Sequence, residues 1–255
     1  FRSHIDGAPV ELTPERSVEI QDILGADIVM AFDECTPWPV EEAAAAKSMR
    51  LSMAWAERSR AAFAGRPGSG LFGIVQGSVF PTLRRQSAEA LIDIGFDGYA
   101  VGGLSVGETR DQMLEPLAAV TTLLPADQPR YFMGLGDPAG LVEVVASGVD
   151  MFDCVLPTRH ARHGTVLTTG GRLNLRNARF ANDDLPLDPA FPASPAARWS
   201  RAYLRHLLMT NELTGGRLLT LHNLAWLLDF VDRLRTAIDE GRFEAFRTET
   251  LAVWG

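Results

Sequence analysis

The stretch LFGIVQGSVFPTLRRQSAEALIDIGFDGYAVGG, residues 71–103, decides the fold class of this 255-residue chain. Two short apolar runs, at 71–76 and 98–103, flank a segment at about 81–94 that has the amphipathic spacing of a helix. This pattern is typical of a βαβ unit, in which a crossover helix joins two buried parallel strands. The stretch therefore predicts an α/β protein with a parallel sheet.

The same alternation extends in both directions from this stretch. Apolar runs predict five strands, near residues 27–33, 71–76, 98–103, 130–134 and 151–156. Amphipathic segments predict four helices, near residues 40–63, 81–94, 110–123 and 138–147. No G-x-G-x-x-G or P-loop motif is present, so dinucleotide-binding and NTPase readings of an open sheet have no support.

Five strands do not close a β/α barrel, which needs eight. The pattern predicts either an open doubly wound sheet or the last five strands of a (β/α)8 barrel. Because the sequence starts abruptly at Phe1 without an initiating Met, we expect the barrel, with about three βα units missing before Phe1.

The character of the chain changes after residue 156. We expect a β-hairpin at 165–175 that turns at Gly170-Gly171, a Pro-rich loop at 182–198, and helices at 200–213 and 223–239. The second helix is expected to face the core with one apolar stripe, formed by Leu224, Leu227, Leu228, Val231, Leu234 and Ile238. We divide the chain into a partial barrel at 1–158, an arginine-rich hairpin, loop and helix at 159–221, and C-terminal helices at 222–255.

The net charge of −8 is unevenly distributed along the chain. Residues 1–158 carry −11, whereas residues 159–255 carry +3. Five arginines follow one another with no carboxylate between the first and the last: Arg159, Arg162, Arg172, Arg176 and Arg179. Such a run is either a solvated surface or a phosphate-binding surface, since nucleic-acid affinity depends on local charge.

The cysteine content and hydropathy exclude several classes of protein. Cys35 and Cys154 are the only cysteines and lie 119 positions apart, which excludes a disulfide scaffold and a C-x-x-C site. No apolar run reaches the roughly 18 residues of a membrane span. We therefore expect a cytoplasmic protein with no membrane association.

Polar residues and glycines follow each predicted strand. They are Asp33-Glu34-Cys35, Gln76-Gly77, Gly102-Gly103, Gly134 to Gly136, and Asp153. Any one glycine has a plain reading as a turn residue. Five such groups at the same edge of a parallel sheet predict an active site there, as in β/α barrels.

Asp153 is the most informative of these residues because apolar neighbours surround it and Arg159 follows closely. On a strand at 151–156 it would be buried, and a buried carboxylate is costly unless it is paired, bound to metal or catalytic. A carboxylate beside a phosphate-binding surface suits attack on a sugar's anomeric carbon. The spacing leaves a structural aspartate at the strand end equally open.

Several ordered motifs make the sequence resemble the bacterial tRNA-guanine transglycosylases. The motifs are AFDECTP at 31–37, GIVQG at 73–77, GYAVGGL at 98–104, FDCVLPTR at 152–159 and NLRN at 174–177, and the likeness covers nearly the whole chain. The resemblance implies a β/α barrel that exchanges guanine in the tRNA anticodon for a 7-deazaguanine in queuosine biosynthesis. It makes tRNA, guanine and the 7-deazaguanine the expected partners and leaves a homodimer open.

The resemblance also implies a role for each motif residue. Asp153 matches the nucleophile that forms a covalent ribosyl intermediate. Asp33 matches the carboxylate that accepts from the N–H edge of the base. The residues that match contacts to the base's carbonyl and exocyclic groups are Gln76, Gly103 and Leu104. The walls of the pocket match Cys35 and Met133. The contacts to tRNA match Arg159 and Arg162, to which we add Arg172 and Arg176 of the same run.

The sequence departs from the family pattern in two places. The family's second catalytic aspartate, with its Gly-Gly-Phe-Gln flank, would lie before Phe1. The family's C-x-C-x-x-C zinc cysteines fall on Phe191, Ala193 and Ala196, which leaves His222 as the sole remaining metal candidate. One imidazole does not make a tetrahedral site, so we expect no zinc and no other cofactor, with Phe191 and Trp199 packing in its place.

The departures keep two alternative functions open. One is a zinc-free paralogue that acts on DNA or a free nucleoside. The other is a non-catalytic subunit that retains the base pocket or supports a partner barrel.

Overall fold

The computed structural model describes all 255 residues, and the chain divides into two compact units. The first unit comprises Phe1–Leu135 with Val144–Asp153, and the second comprises Gly136–Glu143 with Cys154–Gly255. The main sheet belongs to the first unit, whereas a two-stranded hairpin and the C-terminal helices belong to the second. No helix combines the length and the apolar content that crossing a membrane requires.

The first unit alternates strands and helices. Its strands are β1 (Ile28–Met30), β2 (Gly70–Val75), β3 (Gly98–Val101), β4 (Arg130–Phe132) and β5 (Met151–Phe152). Its helices are α1 (Pro14–Ile23), α2 (Glu42–Ala62), α3 (Pro81–Ile94) and α4 (Arg110–Thr121), while α5 (Pro138–Ala146) contributes residues to both units. The number and order of the five strands and four helices predicted from sequence are confirmed, although β5 is shorter than predicted. Helix α1 is additional, and Thr13 caps it by accepting a hydrogen bond from the Arg16 amide.

The strand order explains how the sheet is built. The order is β1-β2-β3-β4-β5, and every neighbouring pair is parallel. A doubly wound sheet reverses its strand order at a switch point, whereas each strand here is added on the same side as in a β/α barrel. The α/β class and the partial-barrel architecture are therefore confirmed.

The core of the first unit contains the sheet residues themselves. Side chains from β2, β3 and β4 are almost fully buried, among them Leu71, Val75, Tyr99, Val101 and Phe132. Continuous apolar runs are typical of parallel strands because helices cover such a sheet. Small residues allow close packing: a Cβ at Gly98 would overlap the Phe72 ring.

Strand β5 is shorter than the sequence predicted. It ends at Phe152, and a helix begins at Leu156 with Pro157 in its first turn, a position that suits proline. The expected strand at 151–156 and the expected burial of Asp153 are therefore wrong. Asp153 is exposed because the chain leaves the sheet immediately before it.

The second unit is a hairpin with helices. Its elements are α6 (Leu156–Arg162), β6 (Thr165–Thr168), β7 (Gly171–Asn174), a 3-10 turn (Ala178–Phe180), α7 (Arg201–Met209), α8 (Leu213–Asp239) and α9 (Phe243–Trp254). Thr168 pairs with Gly171, so the hairpin turns at Thr169-Gly170, one residue before the predicted position. No helix interrupts residues 182–198, where Pro186 forms a single bridge with Ser200.

Helix α8 differs from its prediction in both length and orientation. It begins at Leu213, ten residues before the expected start, and continues unbroken through 221–222, where the sequence division was placed. The expected apolar stripe is wrong, since Leu224 and Leu228 are 39% and 67% exposed. The buried face instead carries Leu219, His222, Asn223, Trp226, Phe230 and Leu234. His222 and Asn223 on that face form hydrogen bonds with the hairpin backbone. Because these buried residues are polar, the spacing of apolar residues alone does not reveal the buried face.

Candidate active site

The carboxyl ends of the five strands carry the candidate site residues expected from the sequence. Asp33 follows β1, Gln76 follows β2, Gly103 follows β3, Met133 follows β4 and Asp153 follows β5. Because all five strands are parallel, these residues occupy the same edge of one sheet. All of them belong to the first unit.

Asp33 and Gln76 form a direct pair at this edge. The Gln76 side chain is 2% exposed, and its Nε2 donates a 2.6 Å hydrogen bond to Oδ2 of Asp33. Burial raises the pKa of Asp33, and the hydrogen bond from Gln76 opposes part of that effect. The pair thus presents an acceptor-only carboxylate held in place by an amide donor.

Two glycines after β3 make room for the Gln76 side chain. A Cβ at Gly102 would lie 2.8 Å from Gln76 Nε2, and a Cβ at Gly103 would overlap Gln76 Oε1. Gly103 also has a φ of 64°, a left-handed conformation that favours glycine. The adjacent backbone can therefore approach Gln76 more closely than any side chain would allow.

Three further predicted pocket residues lie at the same edge. Leu104 is buried, Met133 is half-buried, and the Met133 amide donates to the Val101 carbonyl at 3.2 Å. The Cys35 residue is exposed, yet loss of hydration around its thiol raises the pKa, as does the nearby Asp33 carboxylate. The Gly103 backbone amide acts in the opposite direction and lowers the pKa of Cys35.

Asp153 has one carboxylate oxygen held and one free. Oδ1 accepts a 2.6 Å hydrogen bond from the Tyr131 hydroxyl and a 2.9 Å hydrogen bond from the Gly134 amide. Oδ2 accepts none from the protein, and the residue is exposed. Burial and the Asp153 carboxylate raise the pKa of Tyr131, so its hydroxyl remains a donor at neutral pH. The arrangement orients a carboxylate and leaves one oxygen available for attack.

Sequence reasoning missed Tyr131. It lies in β4, and its apolar flank RYFMG suggested only a core strand. The strand register explains why Tyr131 lies close to Asp153, because Tyr131 pairs with Met151, two residues before Asp153. Neighbouring strand ends bring polar groups together, so a hydroxyl near the end of β4 was a candidate partner for Asp153.

The predicted tRNA arginines fall into two places in the second unit. All four are exposed, and none forms an ion pair. Arg162 and Arg176 line a cleft of about 450 Å³, together with Arg217, which the sequence did not single out. Arg172 lies over the Trp254 ring, 5.7 Å from its centroid. Burial lowers the pKa of His160, and the positive charges of Arg172 and Arg159 lower it further.

The residues at the expected metal position do not fit zinc. His222 is fully buried, its Nδ1 accepts a 2.7 Å hydrogen bond from the Ser194 hydroxyl, and its Nε2 donates to the Leu167 carbonyl at 2.8 Å. Burial lowers the pKa of His222, which keeps the ring neutral. Phe191 packs edge-on to the ring at 6.0 Å, Ala196 is buried and Ala193 is exposed. Both ring nitrogens are thus committed, and no three potential metal ligands cluster anywhere in the chain.

Comparisons with known proteins identify a family of similar sequences. The family model described as queuine tRNA-ribosyltransferase matches residues 1–255. Three similar curated proteins carry that same name. The one from Caulobacter vibrioides is 54% identical over 99% of this chain and 68% of its own length. The one from Zymomonas mobilis is 52% identical, covering 96% and 65%, and the one from Rhizobium meliloti is 50% identical, covering 100% and 68%.

These relatives are longer than the sequence described. The chain spans about two thirds of their length, 65% in the relative from Zymomonas mobilis. The match nevertheless includes every strand of the sheet and every residue of the candidate site. The chain therefore belongs to the queuine tRNA-ribosyltransferase family.

Proposed function

We propose that this protein is a tRNA-guanine transglycosylase, which exchanges guanine in a tRNA anticodon for a 7-deazaguanine. One observation carries the proposal. Asp153 has one oxygen fixed by Tyr131 and Gly134 and the other free, at the sheet edge that also carries the Asp33–Gln76 pair. A free carboxylate and a base-reading group at one edge are what base exchange through a covalent intermediate requires.

Recognition of the base follows from donors and acceptors. Guanine and 7-deazaguanine both present N–H donors at N1 and at the exocyclic N2, and the Asp33 carboxylate accepts them. Gln76 and the amides of Gly103 and Leu104 donate to the base carbonyl, while Cys35 and Met133 form the walls of the pocket. The target nucleotide must leave its stack in the anticodon loop to reach this edge.

The exchange has two displacement steps at C1′ of the nucleotide. Oδ2 of Asp153 attacks C1′, the bond to N9 of guanine breaks, and its electron pair leaves with guanine, which takes up a proton. N9 of the 7-deazaguanine, having lost its proton, then attacks C1′, and the electron pair of the C1′–O bond returns to Asp153. Two inversions leave the configuration at C1′ unchanged.

The rest of the chain serves binding in this proposal. Arg159, Arg162, Arg172 and Arg176 contact the phosphates of tRNA, supported by their exposure and their lack of ion pairs. The zinc subdomain of the family is replaced by the hydrogen bonds and apolar packing around His222, without a metal or other cofactor. Neither cysteine forms a disulfide, which together with a tRNA substrate supports a cytoplasmic protein.

Incorporation of radiolabelled guanine into tRNA by the full-length protein tests the proposal. We expect label to enter tRNA with the parent sequence, and Asp153→Asn to abolish both incorporation and the covalent tRNA–protein adduct on a denaturing gel. Incorporation that survives Asp153→Asn would remove the assigned nucleophile. Transfer to DNA or to a free nucleoside but not to tRNA would favour the paralogue instead, and no transfer at all would favour the non-catalytic subunit.

A further inference from the structure

Arg84 on α3 is an unusual arginine in this chain. Its side chain is fully buried, and no carboxylate lies within ion-pairing distance of its guanidinium. A buried charge without an ionic partner is costly unless other groups replace the lost water. The neighbouring Arg85, by contrast, is exposed to solvent. The burial of Arg84 therefore points to a specific set of partners.

Those partners are three backbone carbonyls at the candidate site. Nε donates to the Ser78 carbonyl at 2.6 Å, Nη1 to the Val75 carbonyl at 3.2 Å, and Nη2 to the Gly102 carbonyl at 2.7 Å. Val75 ends β2, whereas Ser78 and Gly102 belong to the loops after β2 and β3. A single planar guanidinium thus bridges two neighbouring strand ends, and a fork of donors is suited to that task.

Both loops adopt conformations that need support. Ser78 has a φ of 52°, unfavourable for a residue other than glycine, and Gly103 has a φ of 64°. Gly77, with a φ of 127°, lies so close to α3 that a Cβ there would approach the Arg84 amide nitrogen at 2.9 Å. Such conformations persist only where the surroundings hold them, and the bonds from Arg84 supply that constraint.

The bond to Gly102 has a direct effect on base reading. The Gly102 carbonyl and the Gly103 amide N–H belong to the same peptide group. Donation to that carbonyl polarises the peptide and strengthens its N–H as a donor. This N–H belongs to the segment after β3, at the edge where it would meet the base carbonyl. Burial lowers the pKa of Arg84 to about 9, so the guanidinium is still a cation at neutral pH.

We propose that Arg84 is a positioning residue for base recognition, which holds the Gln76–Ser78 and Gly102–Leu104 segments in the conformation that reads the guanine edge. This inference rests on the proposed function. Arg84 does not touch the base in this assignment and acts only through the backbone of those two segments.

The decisive experiment compares Arg84→Met, Arg84→Lys and the matched control Arg85→Met in the full-length protein. Guanine exchange gives separate KM values for guanine and for tRNA, together with kcat. We expect the KM for guanine to rise about ten- to hundredfold in Arg84→Met, in line with the loss of charge-assisted hydrogen bonds. The KM for guanine of Arg84→Lys is expected to lie between those of the parent protein and Arg84→Met. The KM for tRNA is expected to stay unchanged in both Arg84 variants, and all constants are expected to stay unchanged in Arg85→Met. A lower kcat with both KM values unchanged would overturn the inference, because that result indicates only a smaller folded fraction.

A second measurement keeps the inference independent of catalysis. Hydrogen exchange of the amides at residues 77–78 and 102–104 is expected to be faster in Arg84→Lys and in Arg84→Ala than in the parent protein. In Arg84→Ala, added guanidinium is expected to slow this exchange because it can occupy the vacated site. Added urea is not expected to slow it. Unchanged protection in both variants would overturn the inference even if the parent protein exchanges guanine. If the parent protein shows no exchange but the amide effects appear, the proposed function fails and the positioning of the two segments stands. If Arg84→Met does not fold, Arg84→Lys decides by the same two readouts.

Discussion

The Tyr131 hydroxyl donates a 2.6 Å hydrogen bond to Oδ1 of Asp153, across the ends of the adjacent strands β4 and β5. The Gly134 amide donates to the same oxygen. Two donors on one oxygen fix the rotation of the carboxylate and leave Oδ2 without a hydrogen bond from the protein. In the mechanism that we propose, the bond also stabilises the carboxylate as a leaving group in the second displacement.

Replacing Tyr131 therefore has a measurable effect on the rate. We expect Tyr131→Phe to lower kcat about tenfold, since one charge-assisted hydrogen bond is lost while Gly134 keeps its own. The KM for tRNA is expected to stay the same. Steady-state guanine exchange measures both, with Tyr203→Phe, an exposed tyrosine on α7, as the control. Full activity in Tyr131→Phe would show that Gly134 alone orients Asp153.

The pKa of Asp33 predicts a pH dependence for base binding. In the proposed mode of binding, an ionised Asp33 accepts hydrogen bonds from guanine, and burial raises the pKa of Asp33 above the ordinary value of 3.8. Guanine affinity is therefore present above the raised pKa and is lost as the pH falls through it. Calorimetric titration of guanine across acidic pH is expected to show this loss in the parent protein. Asp33→Asn is expected to bind weakly at every pH, and an acid limb that persists in this variant would assign the titration to another group.

The cleft with Arg162, Arg176 and Arg217 predicts salt-dependent tRNA binding. We expect Arg176→Ala and Arg217→Ala each to weaken tRNA affinity and to reduce the slope of log affinity against log salt by about 0.7 to 0.9. Filter binding at several salt concentrations measures the slope. Arg235→Ala, on the exposed face of α8, is the matched control. An unchanged slope in both cleft variants would place the tRNA phosphates elsewhere.

The hydrogen bonds of His222 predict stability without metal. We expect chelators to leave the melting temperature unchanged and elemental analysis to find no zinc. Ser194→Ala is expected to cost about 1–2 kcal/mol in the free energy of unfolding, because the buried Nδ1 loses its donor. Urea denaturation measures this cost, with the exposed His206→Ala as the control. One zinc per chain, or a chelator-induced loss of stability, would contradict the assignment.

The same histidine also predicts an acid limit to stability. Burial lowers the pKa of His222 below 6.5. Below that pH the unfolded chain takes up a proton that the folded chain does not, so the free energy of unfolding decreases as the pH falls. Urea denaturation between pH 7 and 5 is expected to show this decrease.

The sheet could be predicted because its strands are buried on both faces and therefore appear as continuous apolar runs. The end of β5 could not be predicted. Cys154, Val155 and Leu156 continue the apolar run into the start of α6, and a short apolar segment does not distinguish a strand from a buried helix. The face of α8 was missed because His222 and Asn223 are polar yet fully buried.

In the candidate site, too, some residues could be predicted from the sequence and others could not. Asp33, Gln76 and Asp153 could be found because each lies within three residues of the end of a strand, and parallel strands bring their carboxyl ends together. Arg84 could not be found, because Arg84 and Arg85 are adjacent and of the same type, and only packing shows which one is buried. A residue that acts through backbone carbonyls has no side-chain partner for a sequence pattern to reveal.

The exposure of Cys35 has a practical consequence for experiments. This chain contains only one other cysteine, Cys154, and that side chain is half-buried. A thiol-reactive fluorophore will therefore attach preferentially to Cys35, beside the base-reading edge, without prior removal of a cysteine cluster. Because the pKa of Cys35 is raised, labelling will speed up with alkaline pH. Because we assign Cys35 to a wall of the base pocket, slower labelling of Cys35 in the presence of guanine is expected to report that the base is bound.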